Sequence, residues 1–228
     1  MRTPTRIPAP ALRGPATPLR SLILALALLP VGVCAQTAAP IDAPAPPAAM
    51  LALRHDPAID PAGWWVSEKL DGVRASWDGK VLRFRSGRML PAPAWFLAVL
   101  PPVALDGELW LGRRRFDALS GLLRREDPED PLWREVRYML FDLPGAPGDF
   151  DTRLTHLRSL ADAAAAAWVQ AVPQQRVADR AALQRLLDEV LAGGGEGLML
   201  HRADAPWQPG RSEALRKLTP WLDAEARV

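Results

Sequence analysis

Seven short segments constrain this chain more than any other feature of its sequence. They are "WWVSEKL", "VRASW", "KVLRFRS", "VALDGELWL", "VRYMLFDL", "EGLMLHR" and "EALRKL". Each has strand length and strand composition, and charged residues fall at or near their ends. Apolar and polar residues alternate on both sides of Asp78–Gly79, the pattern of a hairpin turn. Helix signals are fewer. "DTRLTHLRSLADAAAAAWVQ" carries leucines at 154, 157 and 160 and a strongly helix-favouring alanine run, with Asp151 as its expected N-cap. "DRAALQRLLDEVLAGGG" follows a second cap, Asp179, and is expected to stop at Gly193. "FDALSGLLRR" fits a short helix. Strands interrupted by helices, without regular βαβ alternation, predict an α+β fold with mainly antiparallel sheets.

The segments before Leu51 are of another kind. Arg2, Arg6, Arg13 and Arg20 precede the apolar run "LILALALLPVGV", and "VCA" closes at residue 35. This is the pattern of a secretory signal peptide over residues 1–35, too short and proline-interrupted for a comfortable membrane span. An uncleaved anchor is the alternative; a lipid anchor on Cys34 is disfavoured by the bulk of Val33. Residues 36–50, Ala/Pro-rich and almost uncharged, predict a tether, with the folded domain over 51–228. Cys34 is the single cysteine and leaves with the leader, so no disulfide is expected. Without the leader, 24 basic residues face 26 acidic ones, so net charge alone does not announce a nucleic-acid partner.

The chemistry lies in five fragments taken in order: "EKLDGVR" (68–74), "RSG" (85–87), "LDGELW" (105–110), "FDLPG" (141–145) and "EGLMLHR" (196–202), followed by the tail "GRSEALRKLTPWLDAEA" (210–226). Lys69 is one of only three lysines beside twenty-five arginines. Lysine can lose its proton and act as a nucleophile, whereas arginine in practice cannot. Taken singly, each fragment reads as a solvated turn, a hairpin or a surface loop. Taken together, they set charged residues at the ends of apolar strands, where several can converge on one cleft.

As a set, these fragments resemble the nucleotidyltransferase motifs of ATP-dependent DNA ligases, a superfamily shared with RNA ligases and mRNA capping enzymes. "RMLPAPAWF", "FDALSG", "VRYMLFDLPGAPGDFDTRL" and "DAEARV" are closer still to the small secreted ligases of Gram-negative bacteria. The resemblance covers roughly residues 51–228. It implies a catalytic domain of antiparallel sheets flanked by helices, with ATP bound between them. Lys69 would attack the α-phosphorus and hold AMP as a phosphoramidate. Arg74 would contact the nucleotide, Arg85 a phosphate, Glu108 the ribose or a metal, Phe141 the adenine face and Glu68 the adenine edge. Glu196 would anchor a divalent cation, Mg2+ or Mn2+, and Lys217 the α-phosphate. Asp71 and Gly72 would form the turn that exposes Lys69. The implied partner is nicked double-stranded DNA, and the implied state is a periplasmic monomer, free of the membrane once the leader is cut. Arg113, Arg114, Arg115, Arg124 and Arg125 are candidate DNA contacts or, equally, a solvated basic face.

Two departures stand out. Where the family places a second lysine two residues after Lys217, this chain has Thr219, which predicts slow self-adenylylation. The family also continues into an OB-fold domain beyond "DAEARV"; its expected absence here predicts weak or no nick sealing. RNA ligation, another nucleotidyl transfer, or a non-catalytic nucleotide- or DNA-binding remnant are the alternatives.

Overall fold

The computed structural model describes residues 49–220. The signal segment, most of the tether and "DAEARV" lie outside the described residues. Among the described residues, no helix is long and apolar enough to cross a membrane.

Ten strands form two five-stranded sheets. The first contains β1 (Met50–Arg54), β2 (Trp64–Glu68), β8 (Gln175–Arg176), β9 (Leu198–Arg202) and β10 (Gly210–Leu218), in the order β1-β10-β9-β2-β8. The second contains β3 (Val73–Trp77), β4 (Leu82–Phe84), β5 (Leu105–Trp110), β6 (Arg137–Asp142) and β7 (Val169–Ala171), in the order β4-β3-β5-β6-β7. Pairing is antiparallel except at β1–β10 and β6–β7. The α+β expectation therefore holds, with two parallel pairs that sequence alone did not indicate. Four α-helices, α1 (Ala94–Leu97), α2 (Phe116–Arg125), α3 (Phe150–Ala163) and α4 (Arg180–Ala192), and a 3-10 turn at Pro131–Glu135 complete the described residues.

Side-chain alternation gives each sheet one core face and one cleft face. In the first sheet, Trp64, Val66, Leu198 and Leu200 bury against Leu183, Leu187 and Val190, which α4 presents at helical spacing. In the second, Ala75, Trp77, Leu105, Leu109, Tyr138 and Leu140 pack with α2 leucines 119, 122 and 123 and with Phe150, Leu154 and Leu157 of α3. Burying each such side chain stabilises the fold by about 1.5–3 kcal/mol. The opposite faces of the two sheets look at each other across a cleft.

Several local expectations need correction. The N-cap of α3 is Asp149, whose side chain accepts from Thr152 N at 2.9 Å, and not Asp151. Phe150 is fully buried, and anchoring it draws the helix start forward. The same helix stops at Ala163, and Ala165 sits at φ 49°, because the chain must turn there to lay β7 beside β6; packing overrides alanine's propensity. Gly193 caps α4 in a right-handed conformation, and the left-handed residue is Gly194 at φ 83°. The fold begins one residue early, since Met50 lies in β1 and is buried.

Candidate active site

Lys69 follows directly on β2. Its backbone N donates to Gly197 O at 2.8 Å, and its Nζ lies 2.5 Å from Glu196 Oε2. The turn at Asp71–Gly72 has a steric cause. Gly72 has no positive φ, but a Cβ there would stand 2.2 Å from Leu109 O and 2.8 Å from Glu108 Cγ. Glycine lets the chain after the nucleophile cross against β5, which brings Lys69 and Glu108 to one cleft.

That cleft has a volume of about 510 Å³. Its walls include Glu68, Lys69, Arg74, Arg85, Glu108, Phe141 and Lys217, seven of the eight site residues expected from sequence. The eighth, Glu196, reaches Lys69 through the ion pair just described. Strand alternation explains the grouping: Arg74 on β3, Asp106 and Glu108 on β5, and Phe141 on β6 project from one sheet, while Ser67, Met199, His201 and Lys217 project from the other. Arg74 donates to both oxygens of Asp106, at 3.0 and 2.5 Å, and its guanidinium lies 5.2 Å from the Phe141 ring centre. Among the described residues, Arg85, Arg211 and Lys217 have no carboxylate within ion-pair distance, which leaves their charge to a ligand.

Glu68 is differently placed. Arg113 Nε and Nη2 donate to its two oxygens, both at 2.8 Å, and Arg113 Nη1 donates to Gly193 O at 3.3 Å. Three glycines make room for this lock: a Cβ at Gly193 would meet Arg113 Nη1 at 2.2 Å, one at Gly194 would meet Arg114 Nε at 2.4 Å, and one at Gly195 would meet Glu68 Oε1 at 2.8 Å. The triplet before Glu196 is thus a landing for two arginines. Of the five arginines expected at DNA, three are in ion pairs: Arg113 with Glu68, Arg115 with Glu135 and Arg125 with Asp130. Thr219 lies one residue past β10 and packs its Cγ2 over Gly197, while Arg216 turns away to donate to Glu213 O and Arg54 O.

Sequence reasoning missed Asp106, Asp142, Arg153, Gln174 and His201. Asp106 was within reach, because it stands two residues from Glu108 and must share its face. Asp142 and Arg153 form a buried pair, with Nε to Oδ1 at 2.7 Å and Nη2 to Oδ2 at 3.2 Å. His201 stacks on Phe150 with ring centres 3.6 Å apart, and its Nε2 is buried without a partner. Leaving such a group unpaired costs about 1–3 kcal/mol.

Burial pushes the Glu108 carboxyl up from 4.5 to about 7, against the pull of Arg74 and Lys69. Burial likewise lowers His201 from 6.5 to about 4. Burial, then the neighbouring Glu196, raises Asp71. The sign of each effect follows by linkage. Between pH 4.5 and 7 the native state binds more protons at Glu108, so this group lowers stability as pH rises through that window. Between pH 4 and 6.5 the unfolded state binds more protons at His201, so that group has the opposite slope. Glu108→Gln therefore unmasks His201. Its stability should rise from pH 4 to 6.5 and stay flat above, exceeding wild type at pH 8 by up to about 3 kcal/mol. Thermal unfolding across pH checks this, and coincident wild-type and variant curves would refute it.

An amine at a strand end, an acid against it, an aromatic wall and uncompensated cations are the parts that a nucleotidyltransferase-type catalytic domain brings together. Comparison with known proteins narrows the class. The sequence matches no protein-family model. It is 35% identical over 166 residues to a DNA ligase of Haemophilus influenzae, covering 73% of this chain and 61% of that protein. A solved structure from work on Lig E DNA ligases and their DNA binding is 40% identical, with TM-score 0.72, over 76% of this chain and 68% of that one. The Chlorella virus DNA ligase-adenylate (17% identical, TM-score 0.65, 76% of this chain and 67% of that one) and the bacteriophage T7 ATP-dependent DNA ligase with ATP (19%, 0.62, 76% and 68%) share the fold. The chain belongs to the Lig E DNA ligases. It spans about 61% of the length of the Haemophilus influenzae relative.

Proposed function

We propose that the chain uses ATP to load AMP onto Lys69 and passes that AMP to the 5′-phosphate of nicked double-stranded DNA, in the manner of its ligase relatives. The observation that carries this is Lys69 Nζ held 2.5 Å from Glu196 Oε2 in a cleft with unpaired Arg85 and Lys217. In the first step the Nζ–P bond forms as the bond from the α-phosphorus to the pyrophosphate oxygen breaks. The proton leaving Nζ has Glu196 Oε2 as its nearest acceptor. Arg85 and Lys217 offset charge on the phosphate oxygens, and Phe141 offers a flat wall to the base. In the second step the DNA 5′-phosphate displaces Lys69 and forms a DNA–adenylate. In the third, the 3′-hydroxyl displaces AMP and seals the strand.

Burial first, and with it the charge of Glu196, raises the proton affinity of both Asp71 and Glu108 near Lys69, as happens where carboxylates crowd a site suited to a hard cation. Among the described residues, no three such side chains are arranged to hold a metal unaided. Magnesium bound by one or two carboxylates plus substrate phosphate fits that set. Glu108 and Glu196 are its proposed protein ligands, and when bound it supplies charge neutralisation at the phosphates. The arginine-led apolar segment supports export of the chain to the periplasm, where we propose it acts as a monomer.

The test uses α-labelled ATP with magnesium. Label should stay on the denatured protein, move to a nicked duplex on chase, and leave as AMP with a sealed strand. Persistence of the label on the protein through the chase would overturn DNA as acceptor, and transfer to nicked RNA instead would favour an RNA ligase. In the same assay Thr219→Lys should speed loading by about tenfold or more, since one preorganised donor to developing charge is typically worth a hundredfold. An unchanged loading rate would show that Thr219 does not limit it.

A further inference from the structure

We propose that Gln174 reads the edge of the purine whose phosphate loads Lys69, and so selects ATP by its 6-amino group. This rests on the nucleotidyl-transfer function proposed above. The register places the residue. Val66 of β2 pairs with Gln175, so Gln174 stands opposite Ser67, and Ser67 in turn pairs with Met199. Met199, Ser67 and Gln174 form one cross-strand row, and all three line the cleft. The row sits two residues back from Lys69, the direction in which a base would lie with its phosphate at the amine. Phe141 lines the facing sheet's wall.

The polar atoms of the row point to Gln174. Its Oε1 is buried with no hydrogen-bond partner, while its backbone is fixed by a bond from Arg158 Nη2 to Gln174 O at 3.3 Å. The carboxylate next to the nucleophile in sequence is not free for the task. Glu68 alternates with Ser67 toward the α4 side, and both its oxygens already accept from Arg113. Ser67 is too short to span a base edge. A carboxamide presents an acceptor and two donors in one plane, and a 6-aminopurine presents an amino donor beside a ring-nitrogen acceptor. The two match without any charge being buried.

The test compares ATP with purine riboside triphosphate, which lacks only the 6-amino group, in lysyl-adduct formation by the full chain. Wild type should prefer ATP by at least about tenfold in kcat/KM, as expected of a site built to hydrogen-bond a group the analogue lacks. Gln174→Met, of similar size, should bring the two nucleotides to within about threefold by slowing ATP alone. Gln174→Glu, which keeps an acceptor, should retain the preference. A merely structural role would slow both nucleotides alike. That result, or a wild type indifferent to the amino group, would overturn the assignment while leaving lysyl transfer intact. A wild type that loads neither nucleotide would instead remove the nucleotidyl-transfer function, and this assignment with it.

Discussion

Lys69→Ala should form no covalent adduct at all. Purified wild type given ATP and magnesium should gain roughly 329 Da, one adenylyl group on the amine, and the variant should gain nothing. The expected loss is complete because the amine is the bonding atom and neither remaining lysine occupies its position. Lys80 lies in the turn after β3, and Lys217 stands two strands away on β10 of the same sheet, at a distance set by the intervening β9. Lys69→Arg sharpens the test. It can keep an ion pair with Glu196, so charge and fold are preserved, yet a guanidinium does not give up its proton at any ordinary pH. It too should gain no mass. Binding of unreacted nucleotide should survive in both variants, since Phe141, Arg74, Arg85 and Lys217 are untouched. A stable adduct on either variant would move the nucleophile elsewhere and dismantle the proposed mechanism.

Arg153→Ala should be the most destabilising single change in the molecule. The Arg153 side chain is wholly buried, and its guanidinium donates to both oxygens of Asp142, to Gly148 O at 3.1 Å and to Ala205 O at 3.0 Å. One residue of α3 therefore ties β6 to the loop after β9, across the base of the cleft. Removing it strands the Asp142 charge in the interior, and breaking such a pair costs about 3–5 kcal/mol. Against a typical net stability of about 5–15 kcal/mol, that is enough to leave part of the protein unfolded. Urea denaturation measures it. Replacing both partners, as in Arg153→Met with Asp142→Leu, should recover most of the loss, because the uncompensated charge goes too. A loss under about 1 kcal/mol for Arg153→Ala would mean water reaches Asp142, and the pair would not be the internal tie described.

Much of the site was legible because its parts are local. The Glu108 and Phe141 strands set their side chains on the cleft face, Lys69 and Glu196 stand just beside strand ends, and seven of the eight expected site residues line one cleft. The base-edge role that resemblance implied for Glu68 was harder to judge. Alternation set its side chain opposite Lys69, but the arginine that occupies it comes from 45 residues away. The basic cluster at 113–125 read equally as DNA contacts or a solvated face, yet three of its arginines pair with Glu68 at the end of β2 and with Asp130 and Glu135 at the two ends of the 3-10 turn 131–135. The alanine run read as continuous helix, because propensity knows nothing of the β6–β7 pairing that ends it.

Sequence by itself determined which residues fall on which side of each strand, where the chain turns, and that a deprotonatable amine stands among acids and arginines. These follow from backbone geometry and side-chain chemistry over a few residues. Only the tertiary structure decided which faces meet. It set Gln174 in a row with Ser67 and Met199, locked Glu68 to Arg113 over three glycines, and sank Arg153 and Asp142 together beneath the cleft. Such contacts join segments tens of residues apart, and their energies come from desolvation and packing that exist only once both sheets are in place.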